Sequence, residues 1–211
     1  MNLSKTIEEE YENIQGADQK GIVLPIEEVK ANILLGIWNQ YCKDINKVFD
    51  EKICFYNSAY FLLYKKKITY SPNCITKLSM MLPTQGHSEK INNVEDRGSA
   101  VGMFLTALIN YHFEKTKNKK YELHTSSAEF HLDYVGYLTA ANVHIHGNLG
   151  DYVGYRMNGG VLRIFGNAQY DVGLEMGDSE IHLSGFCLNV AKPLHRGKIF
   201  INGAEFNYKA F

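Results

Sequence analysis

The stretch GDYVGYRMNGGVLRIFGNAQYDVGLEMGDSEIHLSG, Gly150–Gly185, decides the fold, because it holds two passes of one pattern. DYVGY at Asp151–Tyr155 is answered by YDVGL at Tyr170–Leu174, and an earlier DYVGY stands at Asp133–Tyr137. Gly147, Gly166, Gly185 and Gly203 follow one another at intervals of 19, 19 and 18 residues. Each closes a short run: VHIHG, LRIFG, IHLSG and IFING. In every run the residues four and two before the glycine are apolar: Val143/Ile145, Leu162/Ile164, Ile181/Leu183 and Ile199/Ile201. The intervening residues, His144/His146, Arg163/Phe165, His182/Ser184 and Phe200/Asn202, belong to the opposite face of a period-2 strand.

Past the glycine the copies stay in step. Val135-Gly136, Val153-Gly154 and Val172-Gly173 correspond, and Thr139, Met157 and Met176 take one shared place. The last copy departs: it keeps Val190, but Lys192-Pro193 fills the Val-Gly neighbourhood and His195 the methionine place. A unit this short cannot bury its own apolar side. Stacking units in register closes a continuous core and pairs each backbone group with the next coil. That is a parallel β-helix with 18–19 residues per coil, with glycines at the turns and methionines filling interior gaps. An up-and-down barrel does not require whole-unit similarity. A left-handed hexapeptide helix needs an aliphatic residue at every sixth place. Steps of six from Val143 land on Leu149, Tyr155, Val161, Asn167, Gly173 and Ser179, so the right-handed form is expected.

The pattern over about 130–205 resembles the GXGXG repeat family, found in the C-terminal domain of the glutamate synthase large subunit and in one of the subunits of formylmethanofuran dehydrogenase. Asp151, Gly154, Met157, Gly159, Gly160 and Gly166 fit a first pass of its motif, and Gly173, Met176, Gly177 and Gly185 a second, with Asp178-Ser179 replacing a glycine pair. The resemblance implies a structural, domain-bridging module whose chemistry sits on other parts. It carries over no catalytic residue, because the motif is made of structural glycines. The cysteine clusters of an iron–sulfur centre are missing here.

Composition divides the chain near residue 120. Twelve of the 18 glycines and six of the eight histidines lie in 121–211. The expected architecture is an α+β N-terminal region, 1–120, packed on a β-helix, 121–211. Helices are predicted over 3–16, 25–52 and about Glu89–Lys115. The aromatic-rich ICFYNSAYFLLY (53–64) predicts one or two strands, GIVLP (21–25) a brief one, and CITKLSMMLP (74–83) another extended run. FNYKAF (206–211) is expected over the C-terminal end of the solenoid, because open ends recruit other chains.

With 22 basic against 23 acidic residues, the net charge of −1 argues against a nucleic-acid or membrane-surface binder. The polar start MNLSKTIEEE resembles no signal peptide, and Cys42, Cys54, Cys74 and Cys187 follow no CxxC spacing, which together suggest a cytoplasmic protein with reduced thiols. Stacking sets His144, Arg163, His182 and Phe200 on one outward ladder and His146, Phe165, Ser184 and Asn202 on the next. A metal site on His144, His146 and His182 is opposed by Arg163 between them, so neither metal nor cofactor is expected. Phe165 and Phe200 facing outward favour a covered surface.

The leading expectation is a non-catalytic scaffold or accessory subunit with a protein partner or self-association. One alternative is a glutamate-synthase-like or formylmethanofuran-dehydrogenase-like enzyme component, with His87, His131, Asp133 and Arg163 as candidates. The other is a small-ligand or anion binder. Asp133 and Asp151 read as turn-fixing residues.

Overall fold

The computed structural model describes residues 26–47, 52–84, 86–192 and 196–206. Its described N-terminal part is helical: α1 (Ile26–Ile45), α2 (Lys52–Lys66), α3 (Pro72–Met81) and α4 (Arg97–Thr116). Two short 3-10 turns, Ser88–Lys90 and Val94–Asp96, precede α4, so that helix starts at Arg97 rather than at about Glu89. The strands expected over 53–64 and 74–83 are α2 and α3. Their buried residues, Phe55, Ala59, Leu62 and Leu63 in α2 and Cys74, Ile75 and Leu78 in α3, keep helical spacing, which overrides the β-favouring composition. Pro72 opens α3, where its missing N–H costs nothing. The helix and strand expected before residue 26, and Pro193 and His195 of the last coil, lie outside the described residues. Trp38 is core, fully buried against Tyr41 and Phe104.

Six strands follow: β1 (Lys120–His124), β2 (Asn142–His146), β3 (Val161–Phe165), β4 (Glu180–Leu183), β5 (Lys198–Ile201) and β6 (Ala204–Glu205). The first five pair in parallel and in sequence order, forming a β-solenoid of about four turns. Tyr121, Val143, Leu162, Ile181 and Ile199 stand in one register row, all buried. Val135, Val153, Val172 and Val190 form a second buried column at the corner. Thr139, Met157 and Met176, at the shared place after it, are fully buried.

The corner is where the repeat requires its glycine. The N–H of Gly154 donates to Val135 O (2.9 Å), that of Gly173 to Val153 O (2.8 Å) and that of Ala191 to Val172 O (3.0 Å). Gly154 has φ +71°, which favours glycine, and a Cβ there would lie 2.5 Å from Ile181 Cδ1 and push that side-chain tip aside. Two residues to either side, Tyr152 and Arg156 are also left-handed, as are Tyr134, Leu138, Asp171 and Glu175 at the equivalent places. Each costs roughly 1–2 kcal/mol. Inter-coil bonds hold them there: Tyr152 N–H to Tyr170 O and Arg156 N–H to Leu174 O, both 2.9 Å.

The first coil has no coil before it, and α4 takes that place. Gly98, Gly102, Thr106 and Asn110 recur every fourth residue and form one stripe. Asp133 N–H donates to Gly98 O (3.3 Å), Gly136 N–H to Thr106 Oγ1 (3.1 Å), and Asn110 Nδ2 to Tyr137 O (3.0 Å). A Cβ on Gly98 would lie 2.3 Å from His131 O, and one on Gly102 only 1.9 Å from Asp133 O. α3 finishes the free edge of β1: Thr76 Oγ1 donates to Glu122 O (2.7 Å), and His124 N–H donates to Ser79 Oγ (2.8 Å). At the other end Asn202 (φ 51°) and Gly203 (φ 80°) form a two-residue turn into antiparallel β6. Gly203 thus keeps the repeat register but serves a hairpin. Phe206 N–H donates to Ile199 O (2.7 Å); the rest of FNYKAF lies outside the described residues.

Asp133 is half-buried in this junction. Its Oδ2 accepts from Ser99 Oγ (2.9 Å) and its Oδ1 from Asp151 N–H (3.0 Å), while Asp151 Oδ1 accepts from Tyr170 N–H (3.0 Å). Both aspartates are turn-fixing residues that tie coil to coil. Burial pushes the Asp133 carboxyl above its usual range, reinforced by the Asp151 charge and opposed by the two hydrogen bonds and by Lys52.

Two expectations follow from the junction. Gly102→Ala destabilises by about 1–3 kcal/mol or more, because backbone must move. Gly36→Ala, on α1 with open space around it, stabilises by about 0.5–1 kcal/mol. Urea unfolding of the two variants reads both signs. For Asp133, a folded pKa above the unfolded one contributes stability at acid pH that is lost as pH rises through the folded value. Asp133→Asn therefore gains on wild type as pH rises from about 4 through the folded value. A pH-independent difference between the two unfolding curves would contradict the assignment.

Candidate functional site

Side chains at alternate positions of β1 to β5 point away from the core, and the parallel register lines them up across the sheet. One row reads Glu122, His144, Arg163, His182, Phe200; the next begins His124, His146, Phe165. The ladders expected from the sequence are therefore in register, each extended at its start by a β1 residue that the glycine spacing did not reveal.

Rings stack along these rows. His124 and His146 lie 4.7 Å apart between centroids and 10° from parallel, and Phe165 stacks on His146 at 4.8 Å. Further along, His182 stacks on Phe200 at 4.5 Å, and its Nε2 lies 3.0 Å from Glu180 Oε2. His144 presents its ring edge-on to Phe165 at 6.1 Å. Glu122 Oε1 lies 2.9 Å from His146 Nε2 and 3.3 Å from His124 Nε2. His144 and Phe165 are exposed, the latter 49%, whereas His146, Arg163 and His182 are half-buried. The helices reach this sheet through α3 and β1, at its edge. Where α3 meets the face, a groove of about 490 Å³ is lined by Thr76, Lys120, Glu122, Asn142, His144 and Arg163.

The other candidates have separate surroundings. Asp133 serves the α4 junction. His131 Nδ1 meets Gln169 Nε2 at 2.7 Å on the neighbouring edge of the solenoid, and Arg163 stands on the outer sheet face. His87 lies in the loop before the first 3-10 turn, its carbonyl accepting from Trp38 Nε1 (3.1 Å) and its ring held below the usual histidine range by burial and by Lys90. The glycine register did not reveal an asparagine ladder: Asn148 Oδ1 accepts from Asn167 N–H (2.9 Å), and Asn167 Oδ1 from Phe186 N–H (3.0 Å). The recurring Gly-Asn pairs at 147–148 and 166–167 are its signal. Among the described residues, no helix is long and apolar enough to cross a membrane. Compared with protein-family models, curated proteins and solved structures, the chain matches none of them.

Proposed function

We propose that this chain is a non-catalytic interaction protein whose docking surface is the outer face of the solenoid sheet. One observation carries the reading: a sheet face that the described residues leave uncovered, bearing stacked histidine and aromatic rings, with Phe165 49% exposed at its centre. Rings already stacked lose little freedom on binding, and a flat apolar centre with a polar rim suits a protein partner. The kinship with GXGXG modules belongs to the same proposal. Gly136, Gly147, Gly154, Met157, Gly159, Gly160, Gly166, Gly173, Met176, Gly185 and Gly203 build the scaffold in this reading, and residues of the ladder, His144, His146, Arg163 and His182, meet the partner. The placement in the cytoplasm rests on the scattered free cysteines.

Isolated under native conditions, the chain is expected in an assembly well above its own 24.0 kDa. Phe165→Asp returns it to a folded monomer, with its far-ultraviolet circular dichroism retained, since half of the side chain faces solvent and the core rows are untouched. A multiple of the chain mass identifies self-association, and any other mass a different protein. Wild type running as a lone monomer under these conditions overturns the proposal.

A further inference from the structure

We infer that Glu122, His124 and His146 form a binding site for a divalent transition ion of the zinc class. The donor set is two imidazoles and one carboxylate, which zinc and its neighbours favour over magnesium or calcium. Glu122 and His124 are two residues apart on β1, so both project from one face, and the register sets His146 opposite His124. One donor atom from each lies within 4.8 Å of the others. A tetrahedral ion with bonds of about 2.0–2.2 Å asks the same atoms to sit roughly 3.4 Å apart, a change that side-chain rotation supplies. Glu122 Oε1 already bridges the two Nε2 atoms at 2.9 and 3.3 Å.

The arrangement is held from behind. α3 pins both β1 ligands through their backbone, by Thr76 on Glu122 O and Ser79 on His124 N–H. Phe165 stacks on the far side of His146 and fixes its ring plane. Arg163, which argued against a metal on His144, His146 and His182, stands in the other row, opposite His144. It does not intervene between His124 and His146, and the Glu122 carboxylate supplies the negative charge that the all-histidine set lacked. The side chains are 37–53% exposed, which leaves a coordination position to solvent water. An ion here would clip β1 to β2 across the 22 residues from His124 to His146, the longest interval between successive paired strands.

The test uses the full-length, untagged chain, stripped with chelator and titrated with zinc chloride by calorimetry. One equivalent binds, and the melting temperature rises by about 5–10 °C when free zinc is ~100-fold above Kd. His124→Ala, His146→Ala and Glu122→Gln each weaken binding by ~10-fold or more, whereas His182→Ala binds as wild type. The metal-free melting temperature of each variant shows whether it folds. For any that does not, the wild-type protein decides: zinc shifts the ring nitrogens of His124 and His146 in proton–nitrogen spectra. Absence of saturable one-to-one binding, ring shifts at other histidines instead, or unchanged affinity in folded His124→Ala and His146→Ala overturns the assignment.

Discussion

The rest of the structure depends on α4 lying in backbone contact with the first coil. A solenoid coil satisfies half of its corner hydrogen bonds from the coil before it, and the first has no predecessor. The Gly98, Gly102, Thr106, Asn110 stripe resolves this by giving Asp133 N–H, Gly136 N–H and Tyr137 O partners on a helix. Gly136 N–H finds Thr106 Oγ1 where Gly154 N–H finds a valine carbonyl. The close approach needs two glycines, and each weakens α4 by roughly 1 kcal/mol relative to alanine. The helix tolerates this because it is buried on nearly all sides by its neighbours.

Once the end is fixed, register does the remaining work. A 19-residue step between β2, β3 and β4 brings chemically unlike residues into single rows, so that imidazoles meet phenyl rings and carboxylates. The inward rows repeat closely because packing demands it. The outward rows do not repeat, and chemistry specific to this chain resides in those departures. Glu122 and His124 are the clearest: they belong to the coil that least resembles the motif.

What was legible in the sequence followed from periodicity. The spacing of Gly147, Gly166 and Gly185 marks the strands, their register and the outward ladders, and Val153 and Met157 mark the buried corner. β1 escapes because Thr125 stands where the later coils have glycine and because its step to β2 is 22 residues. With β1 go Glu122 and His124, and therefore the two-histidine cluster. α2 misleads because its aromatic residues favour strands in general, whereas the spacing of Phe55, Ala59 and Leu63 is helical. Left-handed Tyr152, Arg156 and Glu175 are not legible at all, since nothing local favours that conformation in them. Only the bonds to neighbouring coils select it.

The two ends of the solenoid are finished by different devices, a helix stripe at one and an Asn-Gly hairpin at the other. Among the described residues, the hydrogen bonds of both devices fall outside the coil between Gly160 and Ser179. An interior coil is therefore a unit of length, bounded on both sides by others of the same geometry. Duplication of such a unit would widen the outer face by one strand, about 4.8 Å, and leave both terminations intact. The array is built so that its breadth can change by whole coils while its ends stay as they are.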